Sequence, residues 1–242
     1  MNIDQMIQEV DVLEGRLGHE GLIDGQGHHV LQLAKASLQS YKKRPADQWN
    51  VSIEPHEPLA FRETKPKHVK HRMKVDLFGL LSQPENGIPT GKHSIVIRVW
   101  CLKKNVWFDP RLDASELAQD IATGSGRRVM LRFRFDYALP GADEPWFHLQ
   151  IGGQQEPDEF YRMPDNLGTP RFLHHPMNLV MACEFVVRHF YPEAYDAFSK
   201  EPNLRGVLRK AEAAYLAPFL DRVRSYQPDS DVSFLSHMWR LS

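Results

Sequence analysis

Five polar side chains recur at alternate positions within one stretch of this chain: Arg132, Arg134 and Asp136, then His148 and Gln150. An imidazole gives or takes a proton near neutral pH, and a guanidinium grips a phosphate or carboxylate through parallel N–H donors. Together they suit metal-independent nuclease or other phosphate-directed chemistry. His148 would act as acid or base, with Arg132, Arg134 or Arg162 as clamps. The same residues suit a solvated sheet face on which Arg and Asp pair across strands, or a face covered by N-terminal helices. Spacing alone leaves these open.

Two strands must position them. Residues 129–153 read VMLRFRFDYALPGADEPWFHLQIGG, two alternating segments around a turn rich in Pro, Gly and Asp. That is the pattern of a long-looped β-hairpin. Val129, Leu131, Phe133, Phe135 and Tyr137 point one way, and Met130, Arg132, Arg134 and Asp136 the other. On the second arm Phe147, Leu149 and Ile151 oppose Trp146, His148 and Gln150. Side chains two apart on a strand, or opposite on its neighbour, lie within about 5–8 Å, so the polar groups form one patch. Arg98 joins them if its own strand is adjacent. Trp100 and Trp146 fall on the face of His148, which favours a covered face or a pocket.

A second basic feature spans residues 65–74, where Lys65, Lys67, His68, Lys70, His71, Arg72 and Lys74 occur without an acid. Lys65, Lys67, Lys70, Arg72 and Lys74 are candidate contacts for a nucleic-acid backbone or an acidic protein. A solvated linker or lysine-protected edge strand has the same composition. Phe61 is the one aromatic nearby, so stacking on bases has little support. The adjacent histidine pairs do not chelate by themselves, and no zinc or P-loop spacing occurs. No metal and no cofactor is expected.

Composition narrows the setting. The 242 residues carry 30 Lys plus Arg against 31 Asp plus Glu, a formal charge of −1, so any nucleic-acid contact is local. No apolar run approaches the ~20 residues that span a bilayer. The acidic, amphipathic start is unlike a signal peptide, and Cys101 and Cys183 show no CxxC spacing. A reduced, cytoplasmic setting is expected.

Periodicity predicts helices over 2–14, 28–41, 113–123, 176–190, 204–226 and 232–241. Pro218 should kink or split the helix over 204–226. Residues 15–27, with five glycines, should be a loop, and 46–66 an extended linker draped over the core. Strands are expected over 73–81, 93–103 and the two hairpin arms. The fold class is therefore α+β: a mostly antiparallel sheet of about four to six strands, packed against N- and C-terminal helices. An N-terminal helical segment (1–45), a linker (46–72) and an α+β core (73–242) would together form one domain.

The run PWFHLQIGG, the turn YRMP and the helix CEFVVRHFYP resemble a bacterial protein family of unassigned activity, a domain of unknown function. Its pattern is a P-x-x-H-L-x-I-G strand, an R-x-P turn and a helix ending R-x-F-Y. Pro145, His148, Leu149, Ile151, Gly152, Arg162, Pro164, Arg188, Phe190 and Tyr191 carry the likeness, which covers under half the chain. The resemblance implies a bacterial cytosolic protein from an accessory cluster such as an antiphage or toxin–antitoxin module. The first expectation is a non-catalytic, partner-binding subunit of a multi-protein assembly, motivated by five tryptophans and the amphipathic terminal segments. The phosphate-directed enzyme and the nucleic-acid-binding accessory are the alternatives. Neither predicts a membrane partner.

Overall fold

Helices and strands begin where capping and alternation tell them to. In α1 (Ile3–His19), Asn2 Oδ1 accepts from Gln5 N and Gln5 Oε1 accepts from Asn2 N, both at 2.9 Å. This reciprocal capping satisfies two orphan donors. Asp24 caps α2 (Gly25–Lys42) by accepting from the Gln26 and Gly27 amides. The computed structural model describes residues 1–44, 48–67, 72–85, 88–102, 127–137, 147–151 and 171–226.

The glycine-rich loop expected over 15–27 is largely helix. Helix α1 continues through Gly15 and Gly18, and only a short turn containing Gly21 (φ 62°) separates it from α2. Close packing explains two of the glycines. A Cβ on Gly18 would lie 2.4 Å from the His28 ring, and one on Gly27 2.7 Å from Ile23 Cβ. Gly18 leaves room for the His28 ring of α2 over α1, and Gly27 for Ile23 of the preceding turn.

The expected linker also contributes strands. β1 (Asn50–Ile53) and β2 (Leu59–Ala60) both pair with β3 (Met73–Ser82), while Trp49 and Phe61 are buried. A two-stranded ladder of β4 (Pro84–Glu85) and β5 (Ile88–Pro89) follows. β6 (His93–Leu102), β7 (Arg127–Tyr137), β8 (Phe147–Ile151) and β9 (Arg171–Leu173) complete the main sheet. Its seven strands run in the order β1-β3-β6-β7-β8-β9, with β2 beside β3, and every described pairing is antiparallel. A register shift between Val99 and Trp100 makes Met130 the extra residue of a bulge. From Leu131 to Tyr137 the pairing is uninterrupted.

One sheet face is apolar. Val75, Leu77, Ile95, Ile97, Val99 and Phe135 share a core with Met6, Val10, Leu13 and Leu17 of α1 and Val30, Leu31 and Leu38 of α2. Helix α3 (Leu179–Phe190) joins it, its Phe185 ring set edge-on to Phe133 and Phe135. The chain then forms α4 (Pro192–Lys200) and α5 (Pro202–Ala211), a π-helical segment Glu212–Leu216, and α6 (Ala217–Arg224). The expected effect of Pro218 takes this form. Proline lacks an amide proton and crowds the carbonyl four residues earlier, so the helix widens by one residue, and Ala217 N bonds Glu212 O. Among the described residues no helix is long and apolar enough to cross a membrane. The helices expected over 113–123 and 232–241 lie outside the described residues.

Candidate functional site

The opposite sheet face carries the polar groups. β7 lies between β6 and β8, so its alternation is imposed from both sides. Three rows cross the strands: Asp76–Arg98–Arg132, then Phe78–Val96–Arg134–Gln150, then Leu80–Ser94–Asp136–His148–Leu173. Arg132, Arg134, Asp136, His148 and Gln150 therefore share one face, with Arg98 beside them. The N-terminal helices do not cover it, because α1 and α2 bury their stripes against the other face.

The face is buried all the same. Asp76, Arg98, Arg132, Asp136, His148 and Gln150 are each under 9% exposed. Buried charges persist only when paired and hydrogen-bonded. Asp76 Oδ2 accepts from Trp100 Nε1 at 2.5 Å and from Arg98 Nη2 at 3.3 Å. The Arg98 guanidinium lies 4.8 Å from the Phe78 ring centroid and 4.7 Å from that of Trp100, a cation–π sandwich. Its Nη2 also donates to the Pro55 carbonyl, tying the β1–β2 turn over this face.

A second network surrounds Asp136. Arg134 Nε lies 3.0 Å from Oδ1 and 2.8 Å from Oδ2, and Ser94 Oγ donates to Oδ1 at 2.5 Å. His148 Nε2 stands 3.7 Å from Oδ2 and 3.1 Å from Gln150 Nε2. The imidazole, cross-strand from Asp136, is 1% exposed and so is enclosed away from solvent.

Beside Arg134 is an open groove of about 340 Å³, framed by β1, β3, β6 and β7. Phe78, Leu80 and Val96 line it with apolar surface, and among the described residues Lys92, Arg132, Glu54 and the Asp136-paired Arg134 are its charged groups. The Arg134 side chain is 30% exposed, and its hydrogen bonds among the described residues run through Nε to Asp136. Asp136 thus fixes the guanidinium plane while leaving the Nη edge for a ligand. A fork held this way is suited to a carboxylate or phosphate.

The basic run divides. An antiparallel bridge pairs Thr64 with Met73; Lys65, Lys67 and Arg72 are exposed, and Arg72 lies 3.5 Å from Glu63. Lys74 belongs to β3 instead and lies 3.9 Å from Asp76, on the polar face. Lys70 and Arg162 lie outside the described residues, as does Trp146. Among the described residues no cluster of His, Cys, Asp and Glu could hold a metal.

Sequence reasoning missed Asp76, Ser94 and Lys92. A signal for Asp76 was present, since Lys74 and Asp76 alternate with Val75 and Leu77 in β3. Ser94 and Lys92 gain meaning only from the register of β6 against β7. Comparison with protein-family models, with curated proteins and with solved structures returned no match.

Proposed function

We propose that the protein is a partner-binding subunit whose polar sheet face receives an acidic, extended segment of another protein. The groove carries this reading: Lys92 and the Asp136-held Arg134 stand beside apolar Phe78, Leu80 and Val96, in a channel framed by β-strands. A peptide alternating acidic and apolar side chains complements that pattern. Arg134 is the anchor, because Asp136 pre-orients its guanidinium and so lowers the ordering cost of binding. Binding is favoured over acid–base chemistry by the enclosure of His148, since a general acid must come within hydrogen-bond reach of its substrate.

A synthetic peptide of alternating glutamate and valine, followed by fluorescence anisotropy, tests the reading. The peptide should bind at low salt and weaken as salt rises. Arg134→Ala should lower affinity about tenfold, the equivalent of one charge-assisted hydrogen bond at about 1.4 kcal/mol. Absence of binding at low salt, or equal binding by the variant, overturns the proposal. So does Arg134-dependent preference for a single-stranded oligonucleotide.

A further inference from the structure

A second polar cluster lies on the helical side of the sheet. Glu9 interrupts the apolar stripe of α1 between Met6 and Leu13, and it is fully buried. Asn178 Nδ2 donates to Glu9 Oε2 at 2.9 Å, while Asn178 Oδ1 accepts from Met181 N and caps α3. One side chain therefore ties the Glu9 carboxyl to the start of a neighbouring helix. Two enclosed oxygens, Glu9 Oε1 and the Tyr215 hydroxyl, have no hydrogen-bond partner among the described residues. Tyr215 is fully buried within the π-helical segment, its ring 6.0 Å from that of His93.

Charge cannot rest comfortably here. The charged groups acting on Glu9 are the Met1 α-amino group at the start of α1 and Lys210 of α5, whose Nζ is held 3.0 Å from Gln8 Oε1. Helix α3 offers the neutral Asn178, the π segment offers Tyr215, and β6 offers His93, kept neutral by its burial. Burial outweighs the two cations and pushes the Glu9 carboxyl up to about pH 8. Ionisation would leave a carboxylate with one unsolvated oxygen, which the surroundings can relieve only by opening. Helix α3 is buried along most of its length, whereas α5 and the π segment each have an exposed outer side. Opening therefore falls to α5 and the π segment.

We propose that Glu9 is a proton-operated latch: the neutral carboxyl holds α1, α3 and the Tyr215 segment together, and loss of its proton releases α5 and the π segment from α1. Because Glu9 in the opened state would ionise in the ordinary carboxylate range, the opening equilibrium rises about tenfold per pH unit up to about pH 8 and then levels off.

Carboxyl-carbon NMR of the full chain, combined with amide hydrogen exchange corrected for its intrinsic pH dependence, tests the latch. One glutamate should titrate near pH 8 in the wild-type protein and disappear from that range in Glu9→Gln. Opening of amides in α5 and the π segment should grow about fiftyfold from pH 6 to pH 8 in the wild type and stay flat in Glu9→Gln. Titration of Glu9 in the ordinary carboxylate range, flat exchange in the wild type, or the same rise in Glu9→Gln overturns the proposal. If Glu9→Gln does not fold, the wild-type titration and exchange profile decide alone.

Discussion

At the scale of the residue, exposure separates two basic groups that both neighbour Asp136. Arg134 lines the groove with its carboxylate-fixed fork, while His148 is enclosed and bonded to Gln150. His148→Ala should therefore act on stability rather than on ligand binding. The substitution opens a cavity and leaves the buried Gln150 amide without this partner, at a cost of about 2–4 kcal/mol. Urea denaturation should show that loss, while affinity for the acidic peptide stays within about threefold at a temperature where the variant is folded. A tenfold fall in affinity with unchanged stability would instead place the imidazole in the binding machinery. The sequence showed that Arg134 and His148 share a face, but not that one is reachable and the other enclosed. Alternation specifies direction, and burial depends on what lies above the sheet.

At the scale of the element, the helices differ in how legible they were. α1 and α3 follow their apolar periodicity, whereas the glycines at 15, 18, 25 and 27 suggested a loop where α1 ends and α2 begins. Glycine weakens a helix by roughly 1 kcal/mol, yet α1 runs through Gly18, over which the His28 ring of α2 packs. Helix α3 depends on Asn178 in two ways, as its cap and as the donor to Glu9. Asn178→Ala should cost about 2–3 kcal/mol, more than a cap alone, because a buried carboxyl oxygen loses its donor as well. Thermal or urea unfolding measures this; a loss under about 1 kcal/mol would mean that the cap is dispensable and the Glu9 contact adds nothing. The strands of the 46–66 segment were hidden for another reason. β1 and β2 have four and two residues, too short for alternation to register, and they exist because β3 offers them an edge.

At the scale of the whole molecule, two kinds of buried titrating group set opposing limits on stability. Burial lowers the proton affinity of His93 and His174 below that of a free imidazole, so the folded state loses stability as pH falls below about 6.5. Glu9 acts in the other direction. Its stabilising contribution is complete below the ordinary carboxylate range and is lost as pH rises through about 8. With two histidines opposing one carboxyl, stability should peak near pH 6.5 and fall by about 1 kcal/mol between there and pH 8. Urea titrations across that range check the shape. A stability that climbs steadily from pH 6.5 to pH 8 would contradict the buried, neutral carboxyl.

By itself the sequence determined the α+β class, the antiparallel hairpin and the division of its side chains between an apolar and a polar face, because alternation with period two is a local property of the backbone. Tertiary structure decided the rest. Asp76 and Ser94 reached Arg98 and Asp136 only through the register of β3, β6 and β7, and the groove exists only where the β1–β2 turn meets those strands. Glu9, one more charge on an amphipathic helix when read along the chain, became a buried neutral acid through its enclosure and its hydrogen bond with Asn178, 169 residues away. Pairing and burial bring together residues far apart in the chain, and no short window of sequence contains that information.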